Sequence, residues 1–247
     1  MSDLVKKDTD LDGIPDWEES LYGTDINKKD TNEDGVLDSE EIAQKRILKE
    51  GNDENLTETD KFSRELLATV AALNQVGEVD QDTVDKISTS LIEKIQNPVV
   101  RKIYLLSDIK IIEDNSYQAV KKYRDNLLKI YEKYPDKKNV TDILKDFIND
   151  GENTNIQALN DLDPILKNIQ GIINERIKMN TPSSLAELHL SVINGMERLL
   201  ENLTDLKSFD TDPVIAMGAI NQYENNLNSL QSSLNALANL INKKLNN

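Results

Sequence analysis

Two stretches near the N-terminus carry side-chain oxygens at the spacing a hard divalent cation needs. One runs Asp8-Thr9-Asp10-Leu11-Asp12-Gly13-Ile14-Pro15-Asp16-Trp17-Glu18-Glu19. The other runs Asp30-Thr31-Asn32-Glu33-Asp34-Gly35-Val36-Leu37-Asp38-Ser39-Glu40-Glu41 and begins 22 residues later. Both read D-x-[DN]-x-D-G-x-x-D-x-x-E. Calcium takes about six to eight oxygens in a flexible shell. Side chains at loop positions one, three and five can curl around one point, and glycine at position six permits the positive φ of a sharp turn. Position seven then offers a backbone carbonyl, position nine a side-chain oxygen, and a glutamate at position twelve closes the shell with both of its oxygens.

This logic assigns Asp8, Asp10, Asp12, the Ile14 carbonyl, Asp16 and Glu19 to a first ion. Asp30, Asn32, Asp34, the Val36 carbonyl, Asp38 and Glu41 are assigned to a second. The expectation is two bound Ca²⁺. The first loop brings five carboxylates and the second four, because Asn32 replaces an aspartate, so the first site is expected to bind more tightly.

Only residues 20–29 separate the loops. Ten residues cannot hold an exiting helix, a linker and an entering helix, so an ordinary EF-hand pair is not expected. Gly23 and the polar run after it read as a turn. Pro15, at position eight, has no N–H for pairing between loops. The string DTDLDGIPDWEESLYGTDINKKDTNEDGVLDSEE resembles bacterial thrombospondin type 3-like calcium repeats, through its DGIPD core, its GTD linker and the second DxxxDGxxDxxE. The resemblance covers roughly residues 8–42. It implies EF-hand-like loops without the entering helix, used as spacers or stabilising modules on exported or surface proteins. It also implies Asp25 and Asn27 as reserve ligands, against the plain reading of a solvated turn. Dockerins have a similar loop but carry aspartate at position twelve, where this chain has Glu19 and Glu41.

The elements that must position these loops are helical. Residues 38–49 read as the exit helix of the second loop, Thr57 starts a helix running towards Gly77, and another spans about 81–96. Residues 99–113 lack helical periodicity and read as irregular or locally extended. Ser116 to Tyr134 reads as a helix carrying Tyr117, Val120, Leu127, Tyr131 and Tyr134, and a short helix is expected at 140–149. The pairs Asp163-Pro164, Thr181-Pro182 and Asp212-Pro213 each read as an N-cap followed by proline at the first helical position. The helices they open carry apolar seams. The last seam, Ile220, Tyr223, Leu227, Leu230, Leu234, Leu237 and Ile241, alternates by three and four. It suits antiparallel packing inside a bundle better than pairing with another chain. The expected fold is all-α: a bundle of about four main helices over 51–247, with a calcium-loop module and its exit helix over 1–50.

Composition narrows the function. The net charge is −16, and residues 1–41 hold −10 of it. An acidic chain is repelled by phosphate backbones and anionic lipid, so no nucleic acid is expected as a partner. There is no cysteine, which excludes disulfides and thiolate chemistry. No apolar run is long enough to span a membrane, although a leader or anchor before Met1 could have been trimmed. The single histidine, His189, reads as a helix-surface or core-edge residue without a catalytic partner. No phosphate-cradling glycine motif and no paired-histidine zinc site is present, so no enzyme is expected.

The leading expectation is a calcium-binding, non-enzymatic structural or interaction protein. It would be extracytoplasmic, with a protein partner or self-association through helical surfaces. Trp17, the one tryptophan, is expected to pack rather than bind. The alternatives are a calcium sensor that switches partner binding, which would want Met-rich helices that are absent here, and more remotely a hydrolase using a carboxylate pair.

Overall fold

Local capping signals account for most of the helix boundaries. The structure, a computed structural model, describes residues 7–42, 56–66, 81–96, 101–135, 138–148 and 154–246. The fold is all-α apart from one short two-stranded ladder. The chain divides into two compact units, Met1–Lys94 and Ile95–Asn247. The boundary expected at residue 50 lies outside the described residues.

In the first unit, α1 (Asp16–Tyr22) follows the first acidic loop. It ends at Gly23, whose φ of 80° is the left-handed cap and whose N–H donates to the Glu19 carbonyl at 2.8 Å. A second helix begins at 38–42, and its expected continuation to 49 is outside the described residues. A third covers 58–66. Thr57 opens it as expected, with reciprocal bonds between the Thr57 hydroxyl and Asp60 N–H and between Asp60 Oδ2 and Thr57 N–H, each 3.0 Å. Its expected run past residue 66 to Gly77 is not among the described residues. Then comes α2 (Gln81–Gln96), at the predicted bounds; the Asn97–Pro98 boundary lies outside the described residues.

The second unit contains β1 (Lys110–Ile112), α3 (Tyr117–Lys133), α4 (Val140–Ile148), α5 (Asp163–Lys178), β2 (Asn180–Pro182), α6 (Ala186–Lys207) and α7 (Pro213–Leu245). Val120, Tyr123, Leu127 and Ile130 of α3, Ile172 and Ile173 of α5, Val192 and Leu203 of α6, and Leu230, Leu237 and Ile241 of α7 share one core. The α6–α7 pair forms an antiparallel hairpin. A side chain at Gly195 would meet the Leu230 backbone at 3.3 Å, so glycine permits the close approach there. Further along, Asn226 Nδ2 donates to Asn202 Oδ1 at 2.5 Å. The heptad seam is therefore used within the chain at Leu230, Leu237 and Ile241, while Ile220 and Leu227 at the other end stay exposed.

The extended reading of 99–113 fits residues 110–112, where β1 pairs with β2 in parallel. Several expectations need correction. Asp163 is the first residue of α5 rather than its cap, and the helix is entered directly from the 3₁₀ turn Ile156–Leu162. Thr181 is buried in β2, and a further 3₁₀ turn precedes α6. Proline reports a first helical turn or an extended residue alike, since both satisfy its fixed φ. Asp212 does cap α7, accepting from Ile215 N–H at 3.3 Å. On α3 the buried face is Val120, Tyr123, Leu127 and Ile130, and Tyr117 is exposed.

His189 is wholly buried rather than at the core edge. Its Nε2 is 3.0 Å from the Arg176 carbonyl, an acceptor, so Nε2 carries the proton and donates. Tyr123 then donates its hydroxyl to Nδ1 at 2.7 Å. Burial, with the Arg176 charge, lowers the imidazole to about 3. The ring is neutral and fully bonded, an internal brace between α3, α5 and α6.

Candidate metal centre

The two acidic loops repeat in space what they repeat in sequence. In each, the position-one aspartate accepts from the glycine N–H at position six: Asp8 from Gly13 at 3.0 Å and Asp30 from Gly35 at 2.9 Å. Position three bonds the N–H of position five, Asp10 to Asp12 at 3.1 Å and Asn32 to Asp34 at 2.9 Å. Position five bonds the N–H of position seven, Asp12 to Ile14 at 2.7 Å and Asp34 to Val36 at 2.9 Å. These bonds curl three side chains inward around each loop. Gly13 and Gly35 adopt φ of 97° and 91°, as position six requires. Leu11 and Glu33, at position four, are also left-handed, at 61° and 59°, a feature that the residue types do not announce.

Loop one brings three carboxylates together. Ligand oxygens of Asp8, Asp10 and Asp12 all lie within 4.8 Å of one another. Glu19 is completely buried, and neither of its carboxylate oxygens has a hydrogen-bond partner. Burial and then the charges of Asp10, Asp12, Asp16 and Asp38 raise its pKa to about 7. Asp10 Oδ2 is likewise buried without a partner, and burial, aided by the neighbouring Asp12 and Asp8, raises its carboxyl. A donor set made only of hard oxygens, several of them unpartnered and crowded by like charge, fits a hard cation and no soft one. The Ile14 carbonyl follows Gly13 and takes no hydrogen bond among the described residues.

Loop two has the same frame with a different third member. Asp30 Oδ1 is buried and unpartnered. Asn32 uses its amide to donate to Glu41 Oε1 at 3.1 Å, which ties positions three and twelve together without a cation. The Val36 carbonyl is as free as its counterpart.

Position nine does something the ligand rule does not foresee. Asp16 accepts from Thr9 N–H at 2.6 Å, from the Thr9 hydroxyl at 2.7 Å and from Lys7 Nζ at 2.8 Å. Asp38 repeats this with Thr31, at 3.0 Å and 2.7 Å. Both aspartates are buried and hold position two of their own loop, so they brace the loop's ends. The Asp16 N–H and Asp38 N–H each donate to the residue before position one, Lys7 and Lys29, at 2.8 Å. Burial works to raise the Asp16 carboxyl, but the bonds from Lys7 and Thr9 outweigh it, and the net shift is downward. The signal was present: both copies begin Lys-Asp-Thr.

The loops are also tied to each other. Ser39 N–H donates to Asp12 Oδ2 at 3.2 Å, and Lys29 Nζ donates to the Leu11 carbonyl at 2.7 Å. Among the described residues no helix runs directly into loop two, since α1 ends at Tyr22 and residues 23–29 are turn and irregular backbone, and no strand pairing joins the loops. Asp25 is exposed and closes the turn over 25–28 by accepting from Asn27 N–H at 3.1 Å, so the turn reading suffices for it and for Asn27. Trp17 is half-buried. Compared with known protein families, with curated proteins and with solved structures, the chain matches none.

Proposed function

We propose that the chain binds two calcium ions through its tandem N-terminal loops and acts as a non-enzymatic structural or interaction protein, exported or displayed at a surface. The observation that carries this reading is Glu19: a carboxylate fully buried, with neither oxygen partnered, beside Asp10 and Asp12. Such a group costs several kcal/mol, on the order of a lost charged hydrogen bond or more, unless a cation meets it. Asp8, Asp10, Asp12, Glu19 and the Ile14 carbonyl would hold the first ion. Asp30, Asn32, Asp34, Glu41 and the Val36 carbonyl would hold the second, with Asp16 and Asp38 keeping each loop closed. A bound divalent ion supplies neutralising charge to a segment of net −10. The chain's own bonds from Ser39 to Asp12 and from Lys29 to Leu11 then make one stiff body of both loops.

Millimolar extracellular calcium would keep such loops filled, which suits a permanent stiffener. Calorimetric titration of metal-stripped protein with calcium tests the reading. Two sites and a raised unfolding temperature of the Trp17 signal are expected. No heat of binding, together with identical unfolding in calcium and in chelator, refutes it.

A further inference from the structure

A cleft of about 530 Å³ opens in the second unit between β1, α3 and the junction of α5 with β2. Its wall on α3 is set by spacing: Lys122 and Asn126 are four residues apart and so share a helix face. The opposite wall is set by the parallel ladder, whose register puts Lys110 directly beside Asn180. Lys178, two residues before Asn180, completes it. Three lysines thus line one cleft of a protein whose net charge is −16. None of the three forms an ion pair among the described residues. The one carboxylate of the lining, Asp114, is exposed and accepts from Ser116 N–H at 2.9 Å, while Ser116 itself caps α3.

A second, independent observation concerns the charge near Tyr123. Tyr123, also part of the lining, is buried. Arg176, on α5 two residues before Lys178, is wholly buried, and its charge acts on both Tyr123 and His189. Arg176 donates through Nη1 to the Tyr131 hydroxyl at 3.0 Å, while its Nε and Nη2 have no partner and no carboxylate neutralises it among the described residues. A buried guanidinium without a counter-ion adds to the positive potential around Tyr123. Low-dielectric surroundings extend that reach. All three lysines are exposed at the cleft, and Lys178 stands in addition as a cation in the last turn of α5.

We propose that this cleft binds a small multivalent oxyanion of the phosphate class. Lysine ammonium groups act as point charges towards such an anion, and the amides of Asn126 and Asn180 supply hydrogen bonds to its oxygens. The volume suits a diphosphate or a phosphorylated small molecule better than a single inorganic ion. The acidic N-terminal loops cannot mimic this binding, since their charge repels the ligand.

The test is calorimetric titration of the full chain with pyrophosphate in divalent-free buffer, at low and at physiological salt. One saturable site is expected, weakened by salt. Lys122→Gln and Lys110→Gln should each lower the affinity about tenfold. Lys121→Gln removes the same charge from the exposed face outside the cleft and should change it less than about threefold. Helicity by circular dichroism should be unchanged in all three. Sedimentation with vesicles containing a phosphorylated lipid, against neutral vesicles, separates a lipid headgroup from a free anion. The proposal holds if either ligand binds and Lys122→Gln weakens it about tenfold. It is overturned if neither ligand binds at millimolar concentration, or if Lys121→Gln weakens binding as much as Lys122→Gln.

Discussion

Replacing Glu19 with glutamine should move metal-free stability and calcium affinity in opposite directions. The side chain is fully buried, both oxygens lack partners, and four aspartates surround it. Holding it ionised at pH 8, when its pKa stands at about 7 against an ordinary 4.5, costs about 3 kcal/mol. Solvent lies close around so small a module and screens part of that, leaving about 1–2 kcal/mol. Glutamine keeps the shape, and its amide can donate to the unpartnered Asp10 Oδ2. In chelator, Glu19→Gln should therefore stabilise the loops by about 1–2 kcal/mol. With calcium the sign reverses, because the position-twelve carboxylate is lost and the first site should weaken about a hundredfold or more. Urea unfolding followed through Trp17 gives the first quantity and calorimetry the second. If the variant loses stability in chelator, or keeps wild-type calcium affinity, the reading of Glu19 as a cation-awaiting carboxylate is wrong.

Four further outcomes follow from the geometry. Gly13→Ala should cost about 1–2 kcal/mol, since the space around a new Cβ is open and only the φ of 97° is penalised. Leu11→Asn should gain up to about 1 kcal/mol, because an exposed leucine now holds a left-handed position that asparagine tolerates; both are read by Trp17-detected unfolding. Thr9→Val or Thr31→Val should each cost about 1 kcal/mol by removing the hydroxyl that braces position nine, with the loss persisting in chelator. For the second unit, the folded imidazole of His189 titrates at about 3, below its ordinary 6.5. Its contribution is fully present above pH 6.5 and is lost as pH falls towards 3. Between pH 7 and pH 5 unfolding free energy should drop by about 2 kcal/mol, and His189→Phe should flatten that slope.

What the sequence made legible was local. The three inward side chains and the glycine turn of each loop fall within six residues, so their spacing alone sets the geometry that Asp8, Asp10 and Asp12 display. Thr57 and Asp212 cap their helices because capping needs only a neighbour three residues away. What stayed hidden depended on distance or on competition. His189 is buried because Tyr123 and the Arg176 carbonyl, far off in the chain, satisfy both ring nitrogens. The ladder of 110–112 with 180–182 joins segments that no local pattern relates. Asp163 and Thr181 precede proline yet do not cap, because the preceding turn and strand claimed them first. At position nine the ligand template and the threonine at position two compete for the same carboxylate, and the threonine takes it in both loops.

The bond from Ser39 N–H to Asp12 is directional: an acceptor in one repeat receives a donor from the next. Nothing in that arrangement closes on itself. Asp34 occupies in the second copy the place Asp12 holds in the first, and it is exposed. A further 22-residue unit spliced in after Glu41 could dock on it by the same step, so the length of a module built this way would scale with copy number.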